Sequence, residues 1–336
     1  MAKKVVVVGG TGQIGRQVVR TFLEAGWQVT SVQRSTTSSR PSHPAVTTIP
    51  ADRNEPGALD AAIGNGADAL VDIVAGTADH AQQLIALQSR VDAFAVVSTA
   101  SVYCDEKNHT IAESGCAELP VPVPETHRTI APGTHCYSAR KAALEQALLQ
   151  NMKVPLTIVR PAAVYGPGSC APREWWFLKR LIDGRKTVPL AFEGKSLFHT
   201  TSSANLAELI RVALEQRGTR ILNAADPAVL SSREIGEAIA AATAYELQIT
   251  ALPGPPANGV GASPWSLAYP LVLDMSAAGS LGYRAVTTYA GFAKPTCTWL
   301  SDLARQRAWQ DAFPELKQLA SAWFNYDQED IALRSR

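Results

Sequence analysis

Apolar and polar residues alternate along the first half of the chain in segments typical of strands and helices in turn. Short apolar, β-branched runs predict strands, and apolar residues at helical spacing predict helices. Strands are predicted over 5–8, 28–33, 47–49, 69–74, 94–98 and 156–160, and helices over 13–25, 56–63, 78–90 and 137–151. Because strands that alternate with helices pair in parallel, the pattern predicts an α/β fold with a doubly wound parallel sheet.

The first predicted strand leads directly into a glycine-rich turn and then a helix. Val5 to Val8 precede glycines at positions 9, 12 and 15, and apolar residues at helical spacing follow. Such a turn lets the backbone approach a pyrophosphate, and the N–H groups that open the helix bind its charge. The sequence therefore predicts a Rossmann-type dinucleotide site. The expected contacts are Gly9, Thr11, Gly12, Gln13, Ile14 and Gly15.

The second half of the chain loses this alternation near residue 165. Helices are predicted over 174–181, 204–215 and 232–241, a strand over 220–224 and a Pro/Gly-rich loop over 253–270. We therefore expect a dinucleotide-binding domain over 1–168, to which strand 220–224 returns, and a smaller C-terminal substrate-binding lobe over 169–300. Residues 301–336 form a predicted helical extension, whose aromatic pattern indicates core or subunit contact.

Composition narrows the class of protein. The 336 residues are 46% hydrophobic, and 31 basic and 30 acidic residues give a net charge of +1. Such a charge provides no overall electrostatic attraction for nucleic acid, which is therefore not expected as a partner. No run approaches the roughly 20 apolar residues of a membrane span. Five scattered cysteines lack metal-ligand spacing and suit a reducing cytoplasm. We expect a cytoplasmic enzyme without a metal that acts on a small molecule, and a homodimer stays open.

Two residues suited to proton transfer stand four positions apart at the start of the predicted helix 137–151. Tyr137 and Lys141 project from one face of that helix. A free phenol ionises at about pH 10, and a nearby ammonium favours the phenolate and lowers that pKa. The spacing therefore indicates Tyr137 as an acid/base group. Lys141 would assist it and also hydrogen-bond a cofactor ribose.

Hydroxyl residues follow the strand predicted over 94–98. Ser98, Thr99 and Ser101 come where that strand ends, and Tyr103 follows. Because ligands gather at the carboxyl ends of parallel strands, a hydroxyl there can hold a substrate oxygen beside Tyr137. The alternative is a polar turn in which these hydroxyls bond only the local backbone.

The ordered motifs resemble those of the extended short-chain dehydrogenases/reductases, the NAD-dependent epimerase/dehydratase group. The likeness runs from Val5 to about residue 300. It rests on the glycine turn 9–15, the segment 98–103, Glu125, the run from Tyr137 to Lys141 with Glu145, and the segment 160–168. The resemblance implies a Rossmann-type fold and a nicotinamide cofactor.

The resemblance also implies roles for individual residues. Thr99 would polarise the substrate, Tyr137 would be the acid/base and Lys141 its electrostatic partner. Asp52 would contact the adenine, unless it is a surface turn residue. The stretch from Pro161 to Tyr165 would line the nicotinamide. The expected substrate contacts are Ser101, Tyr103, Tyr165 and His199, of which the histidine has a structural role as its alternative.

Two segments depart from the family pattern. Nucleotide-sugar members carry an arginine for the diphosphate shortly before a His-Val-x-Asp-Leu-Ala segment, and here Phe198 stands at that place. Losing an arginine fork removes charge-assisted hydrogen bonds of about a few kcal/mol, which argues against a sugar nucleotide. Asp72 lies within the strand predicted over 69–74. An aspartate at this place resembles the pattern of the atypical subgroup of the superfamily.

The end of the second strand bears on the choice of cofactor. NAD enzymes usually place a carboxylate there for the ribose 2′-hydroxyl, whereas an arginine accommodates a 2′-phosphate. Here Gln33 and Arg34 follow, with Arg40 beyond. The sequence therefore favours NADP over NAD, and a solvated surface role is the alternative for Arg34.

These observations predict an NAD(P)-dependent oxidoreductase of the extended type. It would transfer a hydride between the nicotinamide and a hydroxyl or carbonyl carbon of a small molecule. One alternative is an epimerase or dehydratase, including one for nucleotide sugars, that oxidises its substrate transiently. Another is a non-catalytic dinucleotide sensor or an RNA-associated atypical member, in which the fold survives without the chemistry.

Overall fold

The structure, a computed structural model, describes residues 2–34 and 43–334. Arg40 lies outside the described residues. The strands are β1 Lys4–Val8, β2 Gln28–Gln33, β3 Val46–Pro50, β4 Ala69–Asp72, β5 Phe94–Val97, β6 Leu156–Pro161, β7 Ala163–Tyr165, β8 Thr187–Leu190, β9 Thr200–Ser202, β10 Arg220–Ala224 and β11 Gln248–Ala251.

Helices connect and flank these strands, and short 3-10 turns occur at Ala100–Val102 and Phe192–Gly194. The α-helices are α1 Gln13–Glu24, α2 Ala58–Ile63, α3 Ala78–Ala86, α4 Ile111–Ser114, α5 Tyr137–Asn151, α6 Trp175–Ile182, α7 Ser203–Glu215, α8 Ser232–Thr243, α9 Ser276–Ser280, α10 Tyr289–Gln306, α11 Trp309–Ala312, α12 Pro314–Lys317, α13 Ala320–Trp323 and α14 Tyr326–Arg334. No helix in the described part of the chain is both long and apolar enough to cross a membrane.

Seven parallel strands form the central sheet in the order β10-β6-β5-β4-β1-β2-β3. The order reverses direction at β1, so the predicted doubly wound α/β fold is confirmed. Strand β10 pairs with β6, as expected for a strand that returns to the first domain. The carboxyl ends of β1, β4, β5 and β6 therefore meet at one edge of the sheet.

Strand β1 shows why the sheet is covered on both sides. Val5 and Val7 belong to the core on one face, with Val18 and Phe22 of α1, whereas Val6 and Val8 belong to the core on the opposite face. Successive side chains of a strand point to opposite faces, so four consecutive valines can serve two layers. Helices α1 and α7 cover the first face, and α3 and α5 pack on the second.

A separate aromatic core holds the C-terminal lobe together. Trp175, Trp176 and Phe177 of α6 are buried in it, and the ring of Phe177 stacks on that of Trp265 at 5.9 Å between centroids. Phe313 and Leu316 from the end of the chain enter the same core. The aromatic pattern after residue 300 therefore serves core packing, and the expected boundary between 300 and 301 falls inside α10.

Candidate active site

The glycine turn lies at the carboxyl edge of the sheet, between β1 and α1. Gly9 has φ +91°, which favours glycine, and a Cβ at Gly15 would overlap the carbonyl oxygen of Gly9. Gly12 differs, because the nearest heavy atom to a Cβ built there is 3.7 Å away. Packing within the chain therefore explains Gly9 and Gly15, whereas Gly12 leaves open space before the first N–H groups of α1.

The segment after β5 supplies the predicted hydroxyls. Thr99 precedes the 3-10 turn Ala100–Val102, and its Oγ1 accepts a hydrogen bond from the Ser101 backbone N–H at 3.1 Å. Ser101 Oγ accepts from the Ala112 N–H at 2.9 Å and lies 3.1 Å from Ser138 Oγ, within hydrogen-bond distance. Both hydroxyls thus also bond local groups, as the turn alternative required, while both residues line the cavity described below.

Tyr137 and Lys141 open helix α5, whose bounds match the prediction. Tyr137 is 44% exposed towards the cavity, while Lys141 is 7% exposed. Lys141 Nζ donates to the carbonyl oxygens of Ala75 at 2.6 Å and Val97 at 2.9 Å, at the ends of β4 and β5. These bonds fix the ammonium between two strand ends and the first turn of α5.

The pKa values of this pair differ from the sequence expectation. Burial raises the pKa of Tyr137 above its ordinary value, while the neighbouring Thr99 hydroxyl acts in the opposite direction. Burial lowers the pKa of Lys141 to about 8, although the negative charges of Asp72 and Glu145 oppose that shift. Desolvation therefore outweighs the nearby charges, and the pKa of the phenol is raised in this structure where the sequence predicted that it is lowered.

A cavity of about 530 Å³, called the central cavity below, joins these elements to the C-terminal lobe. Gln13 and Ile14 of α1 line one side, and Pro161 follows from the end of β6. Tyr137, Lys141, Thr99 and Ser101 line it as well, so the structure brings the predicted catalytic residues together. Arg173 and Phe198 of the lobe close the opposite side.

A second cavity of about 350 Å³, the outer cavity, lies on the other side of the glycine turn. Gly9, Thr11 and Gly12 line it together with Arg34 and Asp52. The two cavities flank the N-terminus of α1, where N–H groups bind anions. A dinucleotide that spans both would place its pyrophosphate in the space before Gly12, so the residues present fit such a group.

Asp72 takes part in a buried hydrogen-bond network next to the outer cavity. Its carboxylate accepts from Arg53 Nη1 at 2.6 Å and from the backbone N–H groups of Val74 at 3.0 Å and Ala75 at 2.8 Å. The carbonyl of Ala75 in turn accepts from Lys141. Asp72 therefore shapes the chain after β4 and so helps to position the lysine.

Three predicted substrate contacts lie outside the lining of both cavities. Tyr103 is fully buried, and its hydroxyl donates to Asn223 Oδ1 at 2.6 Å. Tyr165 is 3% exposed, and its ring lies 4.6 Å from that of Tyr289. His199 Nδ1 accepts from the Leu273 N–H at 3.2 Å, which leaves Nε2 to donate to the Asp226 carbonyl at 2.9 Å. The structure gives all three packing or hydrogen-bonding roles instead.

Glu113 takes part in the site although the sequence did not suggest it. It lies in α4, for which the sequence predicted no helix, and Thr110 caps that helix. Its carboxylate accepts from Ser138 Oγ at 2.6 Å and from the Ser138 N–H at 3.1 Å, and so holds the first turn of α5. These hydrogen bonds lower the pKa of Glu113 against the effect of burial. Thr110, a residue type that favours helix N-caps, is the feature of the sequence that could have indicated this short helix.

Arg173 is the second residue that sequence reasoning missed. It precedes α6, and its guanidinium lies 5.7 Å from the ring centroid of Phe198. Arginine and Tyr137 are close enough for each charge to influence the other's pKa. Periodicity gave no signal, because the residue stands just outside the predicted helix.

The fold and these residues define the class of protein, and a family comparison agrees with them. Residues 5–225 match the model of the NAD dependent epimerase/dehydratase family. The chain therefore belongs to that family, and the resemblance seen in its motifs is confirmed.

Solved structures with the same fold include nucleotide-sugar enzymes. The enzyme WbmH of Bordetella bronchiseptica in complex with NAD+ is 20% identical, with a TM-score of 0.70 over 90% of this chain and 99% of that one. UDP-N-acetylglucosamine 4-epimerase of Methanobrevibacter ruminantium M1, in complex with UDP-N-acetylmuramic acid, is 17% identical, with a TM-score of 0.68 over 90% and 99%. At these identities the likeness shows the fold.

A relative found by sequence similarity is named as a nucleic-acid-binding protein and not as an epimerase. The chloroplast stem-loop binding protein of 41 kDa b of Arabidopsis thaliana is 26% identical over 206 residues. The match covers 57% of this chain and 50% of that protein, so the chain spans about half the length of this relative.

Proposed function

We propose that the protein is an NAD(P)-dependent oxidoreductase of the extended short-chain type that acts on a small molecule. It transfers a hydride between the nicotinamide and a hydroxyl or carbonyl carbon. The observation that carries this proposal is the central cavity, in which Tyr137, Lys141 and Thr99 face the N-terminus of α1. A proton donor, a cation and an anion-binding helix end thus share one space.

The chain's residues divide the work of binding the cofactor. Gly9, Thr11 and Gly12 would hold the pyrophosphate with the N–H groups of Gln13 and Ile14, and Gly15 lets α1 pack closely against the turn. Asp52 lies on the adenine side, in the outer cavity. Lys141 would hold the nicotinamide ribose and Pro161 would contact the ring, since both residues line the central cavity. When bound, the nicotinamide gives or accepts the hydride.

Tyr137 and Thr99 carry the proton step of the proposed reaction. A phenol with a raised pKa is protonated at neutral pH, so Tyr137 is ready to give its proton to the oxygen of a carbonyl. Thr99 holds the same oxygen by a hydrogen bond. Lys141, fixed by two carbonyls, supplies a positive charge that steadies the phenolate left behind.

We propose NADP as the preferred cofactor, with NAD as the alternative. Arg34 lines the outer cavity at the end of β2, where an NAD enzyme usually has a carboxylate. Support for NAD comes from the similar structures, among them WbmH with NAD+. Arg34→Glu should reverse the preference, because a carboxylate repels a 2′-phosphate. The ratio of NADP to NAD dissociation constants, measured in both proteins, tests this, and a wild type that prefers NAD contradicts it.

An epimerase or dehydratase is the second candidate. The family and the UDP-N-acetylglucosamine 4-epimerase of similar fold favour it. Such an enzyme oxidises its substrate and returns the hydride to its own product, so the cofactor shows no net change. A reductase consumes one reduced cofactor for each product. The absorbance of reduced nicotinamide during turnover of a panel of hydroxy and carbonyl compounds separates the two, and turnover without net absorbance change favours the epimerase.

A non-catalytic or RNA-associated protein is the remaining alternative. The similarity to the chloroplast stem-loop binding protein supports it. The net charge of +1 and the presence of Tyr137, Lys141 and Thr99 in one cavity oppose it.

The five free thiols support a cytoplasmic location, which we propose as well. Homodimer formation stays a prediction for sedimentation analysis.

A further inference from the structure

Arg173 offers a guanidinium to the central cavity without a partner from the protein. The guanidinium makes no hydrogen bond or salt bridge with any residue in the described ranges 2–34 and 43–334, and its contact is with the face of the Phe198 ring at 5.7 Å. A guanidinium carries five N–H donors in a planar fork. Removing such a group from bulk water is costly unless an anion pairs with it.

The position of this arginine is fixed by buried structure. Its carbonyl accepts from the Trp176 N–H at 3.0 Å, and the following residues Trp175, Trp176 and Phe177 are at most 2% exposed. No ion pair joins it to the adjacent Glu174, although the two groups are close enough to influence each other's pKa, and burial raises the pKa of that carboxyl to about 7. The charge of Arg173 is therefore held towards the cavity by the core of the lobe.

The remaining lining of the central cavity leaves this charge uncompensated. Among the described residues that line it, Arg173 and Lys141 carry charge, and neither Asp nor Glu nor His is present. Lys141 is bound to two carbonyls on the cofactor side. The lobe thus presents one cation to whatever lies between Phe198 and Tyr137.

We propose that Arg173 binds an oxyanion on the substrate, a carboxylate or a phosphate monoester, while the reacting carbon lies at Tyr137. This rests on the proposed function, because it assigns the two ends of the same substrate to the two sides of one cavity. The planar fork matches the paired oxygens of either group, and Phe198 supports the guanidinium from behind. The cavity of about 530 Å³ must also admit the nicotinamide, which favours a small hydroxy acid, oxo acid or phosphorylated alcohol.

The test compares three probes by calorimetry on the cofactor-saturated protein. 3-Hydroxybutyrate carries a carboxylate, glycerol 3-phosphate carries a phosphate, and butane-1,3-diol is the neutral counterpart of the first. We expect at least one anion to bind with a dissociation constant of about 10 mM or lower and the diol to bind at least tenfold more weakly. Whichever anion binds more tightly identifies the source of the oxyanion.

Arg173→Gln should weaken binding of that anion by about tenfold or more, since the charge-assisted fork is lost. Arg305→Gln is the matched control, because its side chain is 78% exposed on α10 and it should leave binding unchanged. Unchanged cofactor affinity and melting temperature show that the Arg173→Gln protein is folded.

Diol binding as tight as that of the anions, no anion binding tighter than about 10 mM, or full anion binding by Arg173→Gln would each overturn the proposal. Cofactor affinity is measured separately. A protein that binds the anion through Arg173 without cofactor, and binds neither NAD nor NADP, would refute the proposed function while the oxyanion site stands.

Discussion

The glycines of the turn differ in whether the packing of the protein itself requires a residue without a side chain. A Cβ at Gly15 would overlap the Gly9 carbonyl, whereas a Cβ at Gly12 meets nothing nearer than 3.7 Å. The glycine spacing in the sequence predicted a turn that approaches a pyrophosphate, and the structure adds the distances that depend on how closely α1 approaches β1. No protein atom therefore requires a glycine at position 12, in contrast to position 15.

We predict opposite effects for the same substitution at these two glycines. Gly12→Val should keep the melting temperature near that of the wild type and weaken cofactor binding at least tenfold, about 1.4 kcal/mol, because the side chain fills the pyrophosphate space. Gly15→Val should lower the stability by about 1–3 kcal/mol or more, since it overpacks the turn. Thermal unfolding and calorimetry check both, and unchanged cofactor affinity in folded Gly12→Val contradicts the account.

Residues distant in sequence were the hardest to place. Tyr103, Tyr165 and His199 stand in motifs of the family, yet their polar atoms or rings meet partners from other segments in the buried core. Arg173 lines the central cavity together with Val97 at the end of β5, a residue far from it in the sequence. Spacing along one chain does not contain such contacts between segments.

Helices and strands were predicted well where the pattern was long. Helix α5 has the predicted bounds, and strands β2 and β10 agree as well. Helix α3 ends at Ala86 rather than residue 90, because the chain turns there to bring Val91 beside Ala67. The four-residue α4 was missed, since one turn of helix carries no measurable period.

The contact between α4 and α5 gives a prediction about pH. The negative charge of Glu113 raises the pKa of Tyr137. Glu113→Gln removes that charge and can still accept a hydrogen bond from Ser138. In the oxidation direction, where the phenolate accepts the proton, the rising limb of the kcat/KM profile should therefore move to lower pH.

The pH profile of Glu118→Gln provides the control for this prediction. Glu118 is an exposed residue in the loop after α4, and the substitution removes the same charge. The pH profile of this variant should coincide with that of the wild type. A Glu113→Gln profile that moves to higher pH, or an equal shift in both variants, would show that the charge of Glu113 does not act on Tyr137.

At the scale of the whole molecule, the end of the chain completes the lobe that carries Arg173. Arg180 of α6 and Glu329 of α14 form an ion pair in which both side chains are at most 4% exposed. Phe313 packs against Trp175 with 6.0 Å between ring centroids. The sequence predicted an aromatic extension and a lobe, but the fusion of the two depends on these pairings between distant segments.

Glu329→Leu should lower the free energy of unfolding by about 3–5 kcal/mol, because it leaves the buried guanidinium of Arg180 without its counter-charge. The double variant Arg180→Met with Glu329→Leu should recover much of that loss. Glu246→Leu breaks an exposed pair with Lys186 and should change stability little. Urea unfolding measures all three, and equal losses for the single and double variants would contradict this explanation.

The central claim is that Tyr137 carries the proton of a nicotinamide-dependent reaction. The most direct measurement is the turnover of Tyr137→Phe against that of the wild type, on a carbonyl substrate found by the absorbance screen, with cofactor affinity measured in parallel. The substitution removes the phenol oxygen and leaves the ring, so we predict unchanged cofactor binding and a rate lowered by about 10² to 10⁴. Turnover by Tyr137→Phe close to that of the wild type would contradict the account and place the chemistry elsewhere.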